Sequence, residues 1–166
     1  MISFVGSKKR CPVTGEVIYL RNEGSFQTTP PPPFWSSLEI NTLEIALDVT
    51  GQVTGVWGYC PYQSWKQKEL SLPTFHAGGV KCNGIPDFQS RMSHLLDNKK
   101  WEICVDQSLG WVCIGDPDNT YAFFEVVNGL VVGIKANTLR SLWIKVGENR
   151  DTSGHTLECQ QNVPLC

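Results

Sequence analysis

The chain has 166 residues, of which 41% are hydrophobic and 18% are charged, with 15 glycines and 10 prolines. This length and composition are typical of one globular domain rich in turns, and they exclude an intrinsically disordered chain. Fourteen basic and sixteen acidic side chains give a net charge of -2, which excludes the dense positive charge that favours nucleic acid binding. We therefore expect a single domain over residues 1–166 that does not bind nucleic acid.

The apolar segments predict neither export nor membrane insertion. At the N-terminus a very short apolar stretch precedes the basic residues 8–10, which is the reverse of the order in a signal peptide. Glycine, proline or charged residues interrupt every apolar segment before it reaches the run of about 20 residues that spans a membrane. We expect a soluble, cytoplasmic protein.

The seven cysteines argue against a disulfide framework and a zinc site, because their number is odd and no two of them have CxxC spacing. Without an export signal, a reducing cytosol is the simplest compartment, where buried cysteines behave as small apolar residues. Cys104 and Cys113 are expected to lie near each other across a hairpin, although paired strands often hold cysteines in a poor geometry for bridging. No cofactor is expected.

The first predicted strand covers Glu16 to Arg21, whose β-branched and aromatic side chains favour extended structure. Residues 22–35 are predicted to form an extended connector, since its four successive prolines fix φ and donate no hydrogen bonds. One interpretation is a docking motif for a proline-recognising domain. The preferred interpretation is a semi-rigid strap that delivers Phe34 and Trp35 onto the core.

Residues 43–57 alternate apolar and polar side chains on both sides of a turn, which predicts a β-hairpin. Asp48 and Gly51 occupy the positions that a type I turn prefers, and Gly51 suits the left-handed conformation that closes a three-residue loop. A two-residue loop would mix apolar and polar residues on each face. The expected pairs are Leu47 with Val53, Ile45 with Gly55, and Leu43 with Trp57.

Residues 121–135 predict a second hairpin, because Asn128 and Gly129 separate two apolar runs. A three-residue loop ending at Gly129 makes one face of this hairpin wholly apolar. The other face still carries Phe123 and Val131, so we expect it to be covered by a helix, a loop or a partner such as a second copy in a homodimer. The expected pairs are Val126 with Leu130, Phe124 with Val132, and Ala122 with Ile134.

Both hairpins contain the string Gly-x-Val-x-Gly, after Thr50 in one and Asn128 in the other, which raises the question of an internal duplication. Alignment on these glycines places Leu47 over Glu125 and so exchanges a core position for a rim position. We therefore attribute the shared string to common turn chemistry.

The remaining segments complete a mainly β fold. Further strands at 101–105, 111–114 and 139–146 join the second hairpin in a predicted five-strand meander. The apolar spacing after Pro86 predicts one amphipathic helix near 86–97. Together the elements predict an antiparallel barrel or sandwich of about eight strands. The polar residues 147–158 are expected to be mobile.

The aromatic segment leading out of the first hairpin is the strongest candidate for a binding site, because aromatic side chains in loops often anchor ligands or partners. It contains Trp57, Tyr59, Tyr62 and Trp65. Strand alternation would instead bury Trp57 and Tyr59, whereas Tyr62 and Trp65 are expected to be exposed. Phe123 on the second hairpin is the other candidate binding residue.

Catalysis has one candidate arrangement. A cysteine nucleophile needs a nearby base, and His76 in a glycine-rich loop is the best placed to serve Cys60 or Cys82. No nucleophile elbow or phosphate loop accompanies these residues, and their spacing matches no standard zinc site. We therefore expect a non-enzymatic binding protein that recognises a protein partner or a small apolar ligand. The alternative is a small thiol-dependent hydrolase that uses Cys60 or Cys82 with His76.

Overall fold

The structure is a computed structural model that describes residues 1–10 and 12–147. In these residues the regular structure consists of fifteen β-strands and one 3₁₀ turn at Tyr62–Ser64, which confirms the mainly β class. The strands are β1 (Ser3–Ser7), β2 (Val13–Leu20), β3 (Ser25–Thr29), β4 (Ser36–Ile40), β5 (Leu43–Leu47), β6 (Val53–Tyr59), β7 (Lys66–Gln67), β8 (His76–Ala77), β9 (Gly79–Asn83), β10 (Ser93–Leu95), β11 (Ile103–Asp106), β12 (Trp111–Gly115), β13 (Ala122–Asn128), β14 (Leu130–Lys135) and β15 (Thr138–Lys145).

Twelve strands form one sheet that curls into a half-barrel, in the order β10-β4-β5-β6-β3-β2-β13-β14-β15-β12-β11-β7. β8 pairs with β13 beside this path, and β1 pairs with β9 in a separate two-stranded sheet. Four strand pairs are parallel, namely those of β10, β7, β8 and β2 with their neighbours, so the prediction of an antiparallel architecture is wrong. The predicted number of about eight strands is too low. The short strands β7, β8 and β10 form hydrogen bonds with backbone groups of larger strands that are otherwise unpaired. The alternation of side chains within a hairpin does not predict such pairings.

The connectivity of the sheet repeats along the chain. β4-β5-β6-β3-β2 and β13-β14-β15-β12-β11 have the same order, and every neighbouring pair within each unit is antiparallel. Because β12 pairs with β15 instead of β13, the predicted five-strand meander is wrong. The counterpart of β5-β6 in the second unit is β14-β15. The alignment on Gly51 and Gly129 instead compared β5-β6 with β13-β14, which are not equivalent hairpins. When the two units are superposed strand by strand, the pair of Trp57 with Glu44 corresponds to the pair of Trp143 with Val131.

The first hairpin has the predicted three-residue loop. Gly51 adopts a φ of 87°, Leu47 pairs with Val53, and the Gly51 amide donates to the Asp48 carbonyl. An added Cβ on Gly51 would come 2.4 Å from the carbonyl oxygen of Cys82. Glycine is therefore required at this position both by conformation and by the close approach of β9.

Beyond this loop the register of the first hairpin shifts by one residue. Thr54 is bulged out of the ladder, and its hydroxyl donates to the carbonyl of Pro33 at 2.6 Å. The shift moves Trp57 opposite Glu44, outside the inner core. The predicted pairs of Ile45 with Gly55 and of Leu43 with Trp57 are wrong, because Ile45 pairs with Val56 and Leu43 with Gly58.

The second hairpin also contains a bulge. Gly129 has a φ of 88°, and the pairs Phe124 with Val132 and Ala122 with Ile134 are confirmed. The bulge at Val126 makes Val127 the partner of Leu130, so the predicted pair of Val126 with Leu130 is wrong. The loop is shortened to Asn128 and Gly129 as a result.

The helix predicted near 86–97 is wrong. Asp87 and Arg91 have φ values of 47° and 62°, which an α-helix does not contain. The segment instead runs along the free edge of β4, where the Ser37 amide donates to the Met92 carbonyl and β10 pairs in parallel with β4. An unpaired strand edge offers this segment backbone hydrogen bonds that its helical spacing does not predict.

Two apolar cores lie on the two faces of the sheet. The inner core fills the half-barrel with residues such as Leu38, Ile45 and Leu142. The second core lies on the outer face, where the loop 68–75 covers Phe123 and Val131 by means of Leu70, Leu72 and Phe75. Of the three covers expected for this face, a loop of the same chain is the one present, so this face does not need a homodimer.

The connector predicted over 22–35 is shorter than expected, because Ser25–Thr29 form β3 and only residues 30–35 run as an extended strap. The predicted mobile segment 147–158 lies, apart from Gly147, outside the described residues. Cys104 and Cys113 are directly paired on β11 and β12, as predicted, and both are free thiols. No helix in the described part of the chain is long and apolar enough to cross a membrane.

Candidate functional site

A cleft of about 510 Å³ opens at one end of the half-barrel. It lies between the end of β2, the 3₁₀ turn with β7, the β11-β12 turn and the residues that follow β15. The described residues that line it are Tyr19, Arg21, Tyr62, Trp65, Gln67, Val105, Gln107, Gly110, Val146 and Gly147. Its volume falls within the range of about 300–1,000 Å³ that small-molecule sites occupy.

Trp65 is fixed at the cleft by contacts on several sides. Its ring centre lies 4.9 Å from that of Tyr19 and 6.0 Å from that of Phe26, with which it is stacked. The indole N–H donates to the Cys60 Sγ at 3.3 Å, and the Trp65 amide donates to the Tyr62 carbonyl. The chain leaves β6 through Cys60 and Pro61 and returns in this turn, which sets Trp65 against the barrel end. This aromatic wall is therefore held in place before any ligand binds.

Tyr62 and Arg21 form the more exposed wall. The Arg21 guanidinium carbon lies 4.2 Å from the centre of the Tyr62 ring, within the range of a cation–π contact. Tyr62 is 36% exposed, so part of its ring faces solvent. Arg21 lies one residue beyond the end of β2, two residues after Tyr19, and both side chains line the cleft.

Tyr19 lies at the inner end of the cleft as a neutral hydrogen-bond donor. Its hydroxyl donates to the Cys60 carbonyl at 2.8 Å, and burial raises the pKa of Tyr19 to about 12. A tyrosine hydroxyl already carries its proton at physiological pH, and burial disfavours the charged phenolate further. This bond ties β2 to the start of the aromatic turn and closes the bottom of the cleft.

The opposite side of the cleft is polar at its mouth and apolar below. Gln67 on β7 and Gln107 in the β11-β12 turn are exposed, and each side-chain amide can both donate and accept hydrogen bonds. Val105 and Val146 line the apolar part. Such a site can hold a flat apolar group against the aromatic wall while two amides bind polar atoms of the same molecule.

The structure separates the five predicted binding residues. Tyr62 and Trp65 line the cleft. Tyr62 is exposed as predicted, whereas Trp65 is half-buried, so its predicted exposure is wrong. Tyr59 lies at the end of β6, outside the cleft lining, and is 58% exposed. Trp57 is half-buried, and its ring centre lies 5.1 Å from that of Phe34. Phe123 is only 2% exposed beneath the loop 68–75, and this burial removes it from any surface in the folded chain.

The candidate thiols are buried, whereas the candidate base His76 is exposed. Cys60 and Cys82 are both buried, and burial raises the pKa of the Cys60 thiol and raises that of Cys82 to about 12. His76 is exposed on β8 beside Phe124, and the hydrogen bond to the Cys60 sulfur comes from Trp65. A buried thiol whose pKa is raised is a poor nucleophile, so this geometry gives the hydrolase interpretation no support.

The sequence did not single out Arg21, Gln67 or Gln107 as site residues. Arg21 is the last residue of the strand predicted over Glu16 to Arg21, and alternation along that strand places it on the side of Tyr19. Gln67 and Gln107 lie 40 residues apart along the chain and line the same cleft because β7 pairs in parallel with β11. This pairing is a long-range contact that local patterns do not report.

Within the residues that the structure describes, no group of three or more His, Cys, Asp or Glu side chains is placed to hold a metal ion. No protein-family model matches the chain, and no curated protein matches it with a significant sequence similarity.

Proposed function

We propose that this chain is a non-enzymatic, soluble binding protein and that the cleft between the aromatic turn and the β11-β12 turn holds a small ligand. The observation that carries this proposal is the convergence of the aromatic side chains Tyr62 and Trp65 with the amides of Gln67 and Gln107 around one cavity. Aromatic walls with a few placed polar groups are the usual composition of small-molecule sites.

The chemistry of the lining favours a ligand with two kinds of surface. A flat, weakly polar face fits against Tyr62 and Trp65, and hydrogen-bonding groups at its rim reach Gln67 and Gln107. The cleft is therefore more polar than the small apolar ligand expected from the sequence would need. The cytoplasmic location stays a prediction from the sequence.

An NMR titration tests this assignment with three probes, namely phenol, benzoate and glucose. We expect at least one probe to shift the Trp65 indole N–H signal together with the side-chain amides of Gln67 and Gln107. The Tyr62→Ala variant should weaken this binding by about tenfold, because an exposed aromatic anchor is removed.

Tyr59→Ala is the matched control, since it removes an equally large exposed aromatic ring outside the cleft. It should leave the titration unchanged. If the probes perturb a different surface, or bind Tyr62→Ala as well as the unchanged chain, the cleft is not the binding site.

A further inference from the structure

The strap of residues 30–35 is held across the outer face of β6 from both ends. Before the strap, the Thr28 hydroxyl accepts from the Val56 amide and donates to the Val56 carbonyl, both at 2.9 Å. Along it, the Thr54 hydroxyl donates to the Pro33 carbonyl at 2.6 Å, and after it the Trp35 amide donates to the Leu47 carbonyl at 2.7 Å. The position of the prolines on the sheet is therefore fixed.

The strap exposes its prolines in a regular pattern. Pro32 is half-buried, and its Cγ lies 3.0 Å from the position that a Cβ would take on Gly55. Trp35, three residues later, is half-buried as well. Pro30, Pro31 and Pro33 are exposed, and so is Phe34, which is 46% exposed.

This pattern matches a polyproline II helix that lies with one edge on the sheet. Such a helix has three residues per turn, so residues i and i+3 share an edge. Pro32 and Trp35 then form the inward edge, and the two remaining edges are largely exposed. Those outward edges are Pro30 with Pro33 and Pro31 with Phe34. The Phe34 ring on one of these edges also packs edge-on against Trp57.

We propose that the two outward edges form a docking ridge for a protein domain whose aromatic-lined groove accepts polyproline II segments. These domains read proline residues spaced as Pro-x-x-Pro, which Pro30 and Pro33 provide. A strap that only delivers aromatic residues to the sheet needs its hydrogen-bonded ends, and it does not need exposed prolines on both other edges. Because the ridge is fixed before binding, the strap loses little conformational entropy when a partner docks.

Titration calorimetry tests this proposal by measuring the affinity of the full chain for three purified domains, one SH3, one WW and one EVH1 domain. We expect one of these domains to bind and the Pro31→Ala, Pro33→Ala double variant to bind about tenfold more weakly or not at all. Pro32→Ala is the matched control, because it removes a proline from the inward edge and should keep the affinity. Circular dichroism must show that each variant remains folded.

Three outcomes would overturn the proposal. One is the absence of binding to all three domain classes, and another is equal binding by the folded double variant. The third is self-association of the unchanged chain in sedimentation experiments that is lost in the double variant, since the ridge would then dock on a second copy. Failure of this experiment leaves the cleft proposal untouched, because the strap contributes no residue to the cleft.

Discussion

Cys104 on β11 lies directly opposite Cys113 on β12, and both side chains are buried as free thiols. Each faces the second core beside residues such as Trp143. Burial raises the pKa of Cys104, and it raises that of Cys113 to about 12, as it does for Cys82. Protons on these thiols are therefore linked to the folded state.

We predict that the protein loses stability in alkali. Between pH ~8.5, where unfolded thiols ionise, and pH 12, the unfolded chain binds fewer protons than the folded chain, so the free energy of unfolding falls as pH rises. Above the pKa of the unfolded thiol, Cys82 and Cys113 each contribute about 1.4 kcal/mol per pH unit, and Cys104 acts in the same direction. Urea unfolding under reducing conditions at pH 7.5, 8.5, 9.5 and 10.5 measures this slope. The Cys113→Ala variant should show a shallower slope, and a free energy that stays constant up to pH 10.5 would refute the prediction.

Thr28 is predicted to stabilise the contact between β3 and β6. Its hydroxyl binds both backbone groups of Val56, and both residues are buried. Thr28→Val keeps the shape but leaves these groups unpaired, so it should lower the free energy of unfolding by about 1–3 kcal/mol. Thr28→Ser retains the hydroxyl and should cost less. Urea unfolding of the two variants tests this prediction, and equal midpoints for Thr28→Val and Thr28→Ser would show that the hydroxyl is dispensable.

Ser141 is predicted to be a site where the chain can be stabilised. Its hydroxyl is fully buried, and it has no hydrogen-bond partner among the described residues. Ser141→Ala removes this unpaired group and should raise the free energy of unfolding by about 1 kcal/mol.

Ser36→Ala is the matched control for this prediction. Ser36 is equally buried, but its hydroxyl donates to the Met92 carbonyl at 2.6 Å. This variant should destabilise the chain by about 1 kcal/mol, because the bond is lost. If thermal denaturation shows both variants to be destabilised alike, the Ser141 hydroxyl is satisfied by a partner such as a buried water.

The parts of the fold that the sequence predicted are local. Alternation and the glycines at 51 and 129 placed both hairpins, because only a few conformations close such short loops. The bulges at Thr54 and Val126 could not be predicted, since each depends on what packs beside the strand. The parallel additions of β7, β8 and β10 follow from free edges that exist only once the sheet has formed.

In the candidate site, too, the sequence predicted the local features and missed those that depend on long-range pairing. Tyr62 and Trp65 stand out in the sequence because they follow Pro61 in a turn rich in aromatic residues. Gln67 and Gln107 reach the same cleft only through the pairing of β7 with β11. Phe123 looked available for binding because alternation gives it a face but not the loop that covers that face.

Native mass spectrometry of the full chain, purified gently from its own cells, tests the cleft assignment most directly. The unchanged chain and Tyr59→Ala should carry the same small molecule as added mass, and Tyr62→Ala should lack it, because that variant removes one wall of the cleft. Retention of the molecule by Tyr62→Ala, or unliganded masses for all three proteins, would contradict a cleft that holds a small ligand.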